Sequence, residues 1–565
     1  RCLGEVEAET DTSISSRLHL DVALHALVQK DPIMAAIIST MEFENIEAPV
    51  SFKAYMMCAF AAFAGVLFGY DSGYIASVLG MEEFKHVYGH PQTLVVDGVE
   101  QQVITYSTWE KSLIVSILSA GTFFGALLSG ALADSIGRRT TILLGCGIFV
   151  IGVVVQIAAL GIPALVAGRL IAGLGVGFVS AVNILYMSEV APRGVRGSIV
   201  SCYQFAITVG IMLASCVGYA TQDREDTGAF RTPIGIQFLW AIVLAIGLAI
   251  LPESPRYFVK KGRLDKAMKA LARVRGQPHD SEYVLHELAE IQANYEYELQ
   301  IGKVSWLGCF SGGVLTSNSN ARKLFIGTAI QMFQQLTGIN FIIYYNTTFF
   351  QQVGLKSPFL ISMITTIVNV VSTPVSFYTI ERFGRRPLLI YGAIAMTICE
   401  FVIAIVGTAL PNSESANYCL IVFVCIYVFF FASTWGPSAW VVIGEIFQLP
   451  MRSKGVALST ASNWFWNCII AVLTPYMTDE GKGGLGVRVF FVWGALCATC
   501  AVFAYTFVPE TRGLTLEQVD RMMEEVSARR SDKWQSREDW ARDLSREAAN
   551  ELPSSVQMEV ASKKS

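Results

Sequence analysis

Charge is scarce in this chain: 16% of its 565 residues are Asp, Glu, Lys or Arg, against 53% hydrophobic, and the mean hydropathy is +0.47. So few charged side chains cannot coat a soluble protein of this length, and the apolar excess must face lipid. Neither sign dominates. With 42 basic and 46 acidic residues the net charge is −4, which excludes the basic surface of a nucleic-acid binder. The twelve cysteines lie mostly inside apolar runs, without the spacing of a disulfide framework, and read as small packing residues. Cys497 and Cys500 form a CxxC, but inside an apolar span, where it fills a helix. The six histidines are scattered and no metal site is visible. No GxxxxGKS segment occurs, so no nucleotide drives this protein.

What the sequence has instead is long apolar runs. Windows of about 20 apolar residues predict twelve spans, beginning near Ala54, Ser112, Thr141, Ala164, Ser198, Ile234, Leu324, Phe359, Leu388, Tyr418, Gly455 and Val489. An even number places both termini on one side. The loops ADSIGRRT, SEVAPRGVRG, ERFGRRP and LPMRSK are basic and alternate with loops almost free of Lys and Arg, so they and both termini are expected in the cytoplasm. Residues 1–50 are polar and acidic, carry no apolar core of a signal peptide, and read as a disordered cytoplasmic tail. Whether residues 1–40 belong to the native product stays open, because Arg1 opens the chain and Met34 and Met41 follow.

The spans fall into two sets. Residues 51–251 are expected to form one six-helix half and 323–508 the other, joined by a cytoplasmic linker at 252–322 whose section Leu264 to Glu298 has helical periodicity. Residues 509–565 read as a cytoplasmic C-terminal tail, and residues 84–110 as the longest external loop. An internal repeat supports the division: DSIGRR at 134–139 recurs as ERFGRR at 381–386, Glu189 and Arg196 as Glu445 and Arg452, and PESPR at 252 as PETRG at 509, each about 250 residues on. The expected fold is therefore all-α, twelve transmembrane helices in two six-helix halves. Paired acids and bases repeated in both halves suggest a cytoplasmic gate that holds one state and breaks in another. Its candidate members are Asp134, Arg138, Arg139, Glu189, Arg196, Glu253 and Arg256, with Glu381, Arg385, Arg386, Glu445, Arg452, Glu510 and Arg512.

Ionisable groups inside a span cost about 2.5–3.5 kcal/mol each and are usually functional. Asp71 in the first span and Arg169 in the fourth are two such groups, and a folded bundle could bring them together. Two readings stay open: an ion pair that fixes packing, or a proton switch in which burial favours the protonated carboxyl and the guanidinium the ionised one. Glu400, inside the ninth span, has no obvious partner in the sequence. The Asn346-Thr347-Thr348 sequon falls inside the seventh span, where glycosylation is not expected. GTFFG at 121–125 matches the small-xxx-small pattern of close helix packing.

Eight motifs in order, GYDSG at 69–73, GRLIAGLGVG at 168–177, YMSEVAPRGVRG at 186–197, PESPR at 252–256, QQLTGIN at 334–340, ERFGRR at 381–386, WGPSAW at 435–440 and PETRG at 509–513, carry a family resemblance. The chain resembles the sugar porter family of the major facilitator superfamily over about 460 residues, and most of all the fungal hexose transporters. The resemblance implies the major facilitator fold, no enzymatic activity, and a plasma-membrane protein whose partners are a monosaccharide, a proton and the bilayer, with no cofactor. It implies that Gln204, Gln334, Gln335, Asn340 and Asn369 contact sugar hydroxyls, for which carboxamides offer donor and acceptor together, and that Trp440 faces the ring. Phe68, Tyr344, Tyr345 and Gly436 are implied to line or gate the cavity. Asn463 and Asn467, at i and i+4, face one way and could reach it. Gln334 and Asn340 are six residues apart, about 240° around a straight helix, so they share a face only if the helix unwinds near Gly338. Ile211, seven residues after Gln204, stands where some pentose-transporting relatives carry a second Gln, which favours a hexose.

The expected function is proton-coupled hexose uptake, the resemblance favouring an exchanging acid at Asp71. The alternatives are a facilitator in which Asp71 is structural and, from another class, a sugar sensor signalling through its tails. Sensors of the family tend to carry long extensions, whereas the polar stretch after Arg512 is about 50 residues.

Overall fold

The computed structural model describes residues 56–534 apart from stretches of at most four residues within that range. The expected tail at 1–50, the start of the first span and the end of the C-terminal tail lie outside the described residues. Among the described residues, ten helices are long and apolar enough to cross a membrane. Spans one to six are Phe60–Gly80, Thr108–Ile136, Arg138–Ala158, Ile162–Val190, Arg196–Thr221 and Gly228–Ile250. Span eight is the pair Pro358–Ser372 and Val375–Phe383, bent by 43°. Spans nine, eleven and twelve are Arg385–Ala409, Arg452–Thr478 and Val489–Phe507, and span ten joins Glu414–Ser433 to Trp435–Glu445. Span seven is broken into Asn320–Leu336 and Ile339–Gln352, each too short to cross alone. The twelve helices make two six-helix halves with a helical linker between them, as the apolar runs and the repeat predict.

The first half is tied together by small residues. The GTFFG glycines of span two lie against span four so closely that a Cβ on Gly121 would sit 2.4 Å from the Leu170 carbonyl oxygen, and one on Gly125 equally close to that of Leu174. Helices approach that closely only where side chains are absent. Span two starts at a capping box: Ser107 Oγ accepts from the Glu110 amide at 3.2 Å while Glu110 Oε2 accepts from the Ser107 amide at 2.9 Å. The two halves meet where span two packs on eleven, five on eight, and one on the second piece of seven.

The expected long loop at residues 84–110 carries structure of its own in an otherwise helical fold. A short helix, Glu82–Tyr88, precedes an antiparallel hairpin, His90–Val96 with Val99–Thr105, in register Val96 opposite Val99. Asp97-Gly98 between β-branched residues is a hairpin signal in the sequence. This end of the bundle is the hairpin end. At the other, the linker forms helices Pro255–Lys260, Leu264–Arg275 and Glu282–Ile301, close to the predicted periodic stretch. Arg275 fastens it, pairing with Glu287 at 2.6 Å and donating to the Val190 carbonyl at 2.7 Å. The C-terminal segment is docked rather than free as far as Trp534: buried Lys323 of span seven pairs with Asp520 of helix Leu516–Glu525, and the Glu510 amide donates to Ser531 Oγ at 2.8 Å.

Candidate functional site

A cavity of about 60 Å³, room for several water-sized groups, lies between the halves. It is lined by Phe68, Ser72, Gln204, Ile207 and Ile211 from the first half and by Gln334, Gln335, Asn340, Tyr344, Asn369, Trp440, Asn463 and Asn467 from the second, with Ile339, Ile343 and Phe431 between them. The break in span seven builds its floor. Gly338 has φ +83°, a left-handed conformation that glycine adopts without strain, and a Cβ there would meet Trp493 Cγ at 2.7 Å. Helix stops at Leu336 and restarts at Ile339, so Gln334, Gln335 and Asn340 reach one space.

These amides form a connected network. Gln334 Nε2 donates to the carbonyls of Trp435 (3.2 Å) and Gly436 (2.8 Å), while its Oε1 accepts from Asn463 (2.8 Å) and Gln335 (3.4 Å). Gln335 Oε1 accepts from Asn340 and, at 3.3 Å, from Asn467. Asn467 Nδ2 also donates to the Tyr344 hydroxyl at 3.1 Å. Asn369 differs: it is 5% exposed and its Oδ1 has no partner, leaving one buried acceptor open to a ligand hydroxyl.

Two expected lining residues sit elsewhere. Tyr345 points away from the cavity, and its hydroxyl donates to the Ala471 carbonyl at 2.7 Å. Gly436 contributes its carbonyl to Gln334 behind the lining. The sequence reading missed Gln331, which accepts from Asn463 Nδ2 at 2.7 Å, and Ser119, which donates to Asn467 Oδ1 at 2.6 Å. Gln331 was readable at i, i+3 from Gln334; Ser119 gave no signal, since small hydroxyl residues are common in packed spans.

Asp71 and Arg169 are both buried, at 0% and 1% exposure, but they form no ion pair. Arg169 instead donates to the Tyr74 hydroxyl and lies 5.4 Å from that ring's centroid, and Tyr74 donates to Gln156 Oε1 at 2.6 Å. Neither oxygen of Asp71 has a hydrogen-bond partner, although Arg169 is near enough to attract the carboxylate. Tyr344 lies within electrostatic reach of both and also lines the cavity, so the two sites adjoin. Glu400 is likewise buried with both oxygens unpartnered, beside Cys497, Cys500 and Tyr427.

At the linker end the repeated charges form two similar clamps. Arg138 pairs with Glu189 (2.9 Å) and Asp134 (3.3 Å), and Arg385 with Glu445 (2.8 Å) and Glu381 (3.3 Å). Glu189 and Glu445 also accept from the hydroxyls of Ser254 and Thr511. Each of these pairs joins groups of one half. Glu253 and Glu510 are helix caps, not members of charge pairs: Glu253 accepts from the Arg138 and Arg139 amides at 2.9 and 3.1 Å, Glu510 from the Arg385 and Arg386 amides at 3.0 Å each. Gly137 and Gly384, at φ +100° and +91°, make room, since a Cβ at either would stand 2.4 Å from the capping carboxylate. The guanidinium groups of Arg139, Arg386 and Arg512 donate to the carbonyls of Ala249, Tyr505 and Arg382. Arg256 and Arg452 line a second cavity with Asp134, Arg138 and Glu189, where the two halves meet. The Arg196 side chain lies outside the described residues.

Twelve helices in two repeated halves around a central carboxamide-lined cavity define a membrane transporter of the major facilitator type. The family model "Sugar (and other) transporter" matches residues 57–523. The chain is 45% identical to the major facilitator-type transporter ecdD of Aspergillus rugulosus, over 86% of its own length and 90% of the relative's. It is 45% identical to the probable glucose transporter rco-3 of Neurospora crassa, over 84% and 80%, and 41% identical to the high glucose sensor RGT2 of Saccharomyces cerevisiae, over 82% and 60%. Among solved structures it resembles the proton:xylose symporter XylE of E. coli bound to 6-bromo-6-deoxy-D-glucose, with a TM-score of 0.70 and 27% identity, over 83% of this chain and 99% of that one. The chain belongs to the sugar transporter family of the major facilitator superfamily and is a multi-pass membrane protein, not an enzyme.

Proposed function

We propose that this transporter takes glucose or a related hexose into the cell together with a proton, by alternating access around the central cavity. The observation that carries the reading is Asp71: a buried carboxyl with no hydrogen-bond partner that, unlike Glu400, lies within electrostatic reach of an arginine, Arg169, and of the cavity residue Tyr344, so that gaining or losing a proton changes what it attracts. Losing the proton would draw the carboxylate towards Arg169 and away from its present packing, so a proton taken up in one state would be released in another. Tyr344, hydrogen-bonded to Asn467 and within electrostatic reach of Asp71, would give sugar and proton a shared neighbour. The sugar hydroxyls would be met by the Gln334, Gln335, Asn340 and Asn369 amides and by Gln204, with Trp440 against the ring. No cofactor takes part; the proton is the coupling ion.

The relatives support a hexose, since rco-3 is named a probable glucose transporter, and XylE, a proton symporter, supports coupling. The basic residues Arg138, Arg139, Arg385 and Arg386 lie at the linker end, which on the positive-inside rule is cytoplasmic, with both termini on that side and the plasma membrane as the site of action. The likeness to RGT2 favours a second reading, a sensor that binds sugar and signals. Arg169 being held by Tyr74 favours a third, a facilitator in which Asp71 only packs. Labelled hexose uptake in transporter-deficient cells, with and without a protonophore, separates the three. Symport predicts accumulation that collapses with the proton gradient; equilibration that persists means facilitation, and no uptake despite surface expression means sensing.

A further inference from the structure

Span two of the first half and span eleven of the second meet along a line of polar contacts rising from the cavity to the hairpin end. At the cavity, buried Ser119 donates to Asn467 Oδ1 at 2.6 Å, and Asn467 in turn donates to Gln335 and Tyr344. Seven residues towards the hairpin, Ser112 Oγ donates to the Val472 carbonyl at 3.1 Å. At the hairpin end of the helix, Lys111 Nζ lies 3.1 Å from Asp479 Oδ1, and Thr108, one turn beyond Ser112, donates through Oγ1 to Asp479 Oδ2 at 3.0 Å. Positions 108, 112 and 119 share one face of a helix, so the contacts form a continuous seam. The outer pair is not an ordinary surface bridge. The Lys111 and Asp479 side chains are 13% and 17% exposed, and Lys111 also stands over the Tyr345 ring at 5.9 Å.

We propose that this seam is a latch that closes the hairpin end, with Ser119 the positioning residue that ties the amide cluster to its state. The assignment of Ser119 rests on the reading of the cavity as the sugar site; the Lys111–Asp479 contact does not. All the rungs cross between the halves, so rocking the halves open at the hairpin end must break them together. The innermost rung ends on Asn467, which also belongs to the carboxamide network. A sugar that engages Asn467 or Gln335 therefore acts on the seam, and closure of the seam orients Asn467 towards the sugar, a reciprocal coupling between occupancy and closure.

The test uses the full chain with Ile343→Cys as a reporter in the cavity and a membrane-impermeant thiol reagent on the hairpin face, in the absence of sugar. Asp479→Asn should raise reporter labelling about fivefold over the parent and lower labelling from the linker face, and the swap K111D/D479K should return both towards the parent. Ser119→Ala should give a smaller shift in the same direction and raise the KM for hexose about fivefold with kcat little changed, and Ser119→Thr should restore it. Parent-level labelling in both Asp479→Asn and Ser119→Ala, in protein reaching the membrane in parent amounts, would overturn the latch. If the wild type neither binds nor moves hexose while Asp479→Asn still opens the hairpin end, the sugar reading fails and the latch stands.

Discussion

Asn369 and Gln334 line the same cavity, yet their substitution by Ala should differ in a way that tests the site. The Gln334 carboxamide is fully used by the protein: it donates to the carbonyls of Trp435 and Gly436 and accepts from Asn463 and Gln335. Gln334→Ala removes these bonds and leaves buried partners unpaired, at about 1–3 kcal/mol per orphaned group, so stability and affinity should fall together. Asn369 offers Oδ1 unpaired in a site where it is 5% exposed. That buried orphan already costs the empty protein about 1–3 kcal/mol, so Asn369→Ala should leave thermal stability unchanged or slightly higher. The same change denies a sugar hydroxyl its acceptor, and affinity should drop by about 1–3 kcal/mol, roughly 5- to 150-fold. Calorimetric titration of the purified variants with glucose, beside their melting temperatures, reads both quantities. Wild-type affinity in Asn369→Ala, or equal loss of stability in the two variants, would refute the reasoning.

Three further outcomes are expected. Arg138→Ala takes the guanidinium from Glu189 within one half, a loss of about 3–5 kcal/mol for a buried pair, so it should lower the melting temperature and the yield of folded protein; a wild-type melting temperature would contradict the clamp. Gly338→Ala forces a side chain into a left-handed backbone and against Trp493, and should weaken sugar binding by straightening the break in span seven, which unchanged affinity in the folded variant would disprove. Glu400→Gln replaces an unpartnered buried carboxyl by its neutral counterpart and should leave sugar accumulation intact; loss of accumulation with binding retained would make Glu400 a coupling residue.

The helices were legible because lipid imposes long apolar runs, and the repeat made the halves legible as well. The break in span seven was foreseen from a geometric conflict: Gln334 and Asn340 cannot face one space on an unbroken helix, and Gly338 was the residue able to resolve it. Other features depended on facts that spacing does not encode. The sequence shows Glu253 beside an Arg-rich motif, but not that its carboxylate is spent on the Arg138 and Arg139 amides, because acids that cap helices and acids that pair with bases look alike. Tyr345 follows Tyr344, and adjacent residues on a helix point about 100° apart, so only one of them faces the cavity. Ser119 was invisible because its role comes from a contact 348 residues away.

Proton movement driven by sugar tests the central claim most directly. With purified protein in sealed vesicles and a pH indicator outside, adding hexose should alkalinise the medium as sugar and protons enter together. Asp71→Asn, which imitates the protonated carboxyl and has no proton to release, should still bind and exchange labelled hexose but give no pH change and no accumulation. Hexose flux through the wild type without proton movement, or gradient-driven accumulation by Asp71→Asn, would contradict the account.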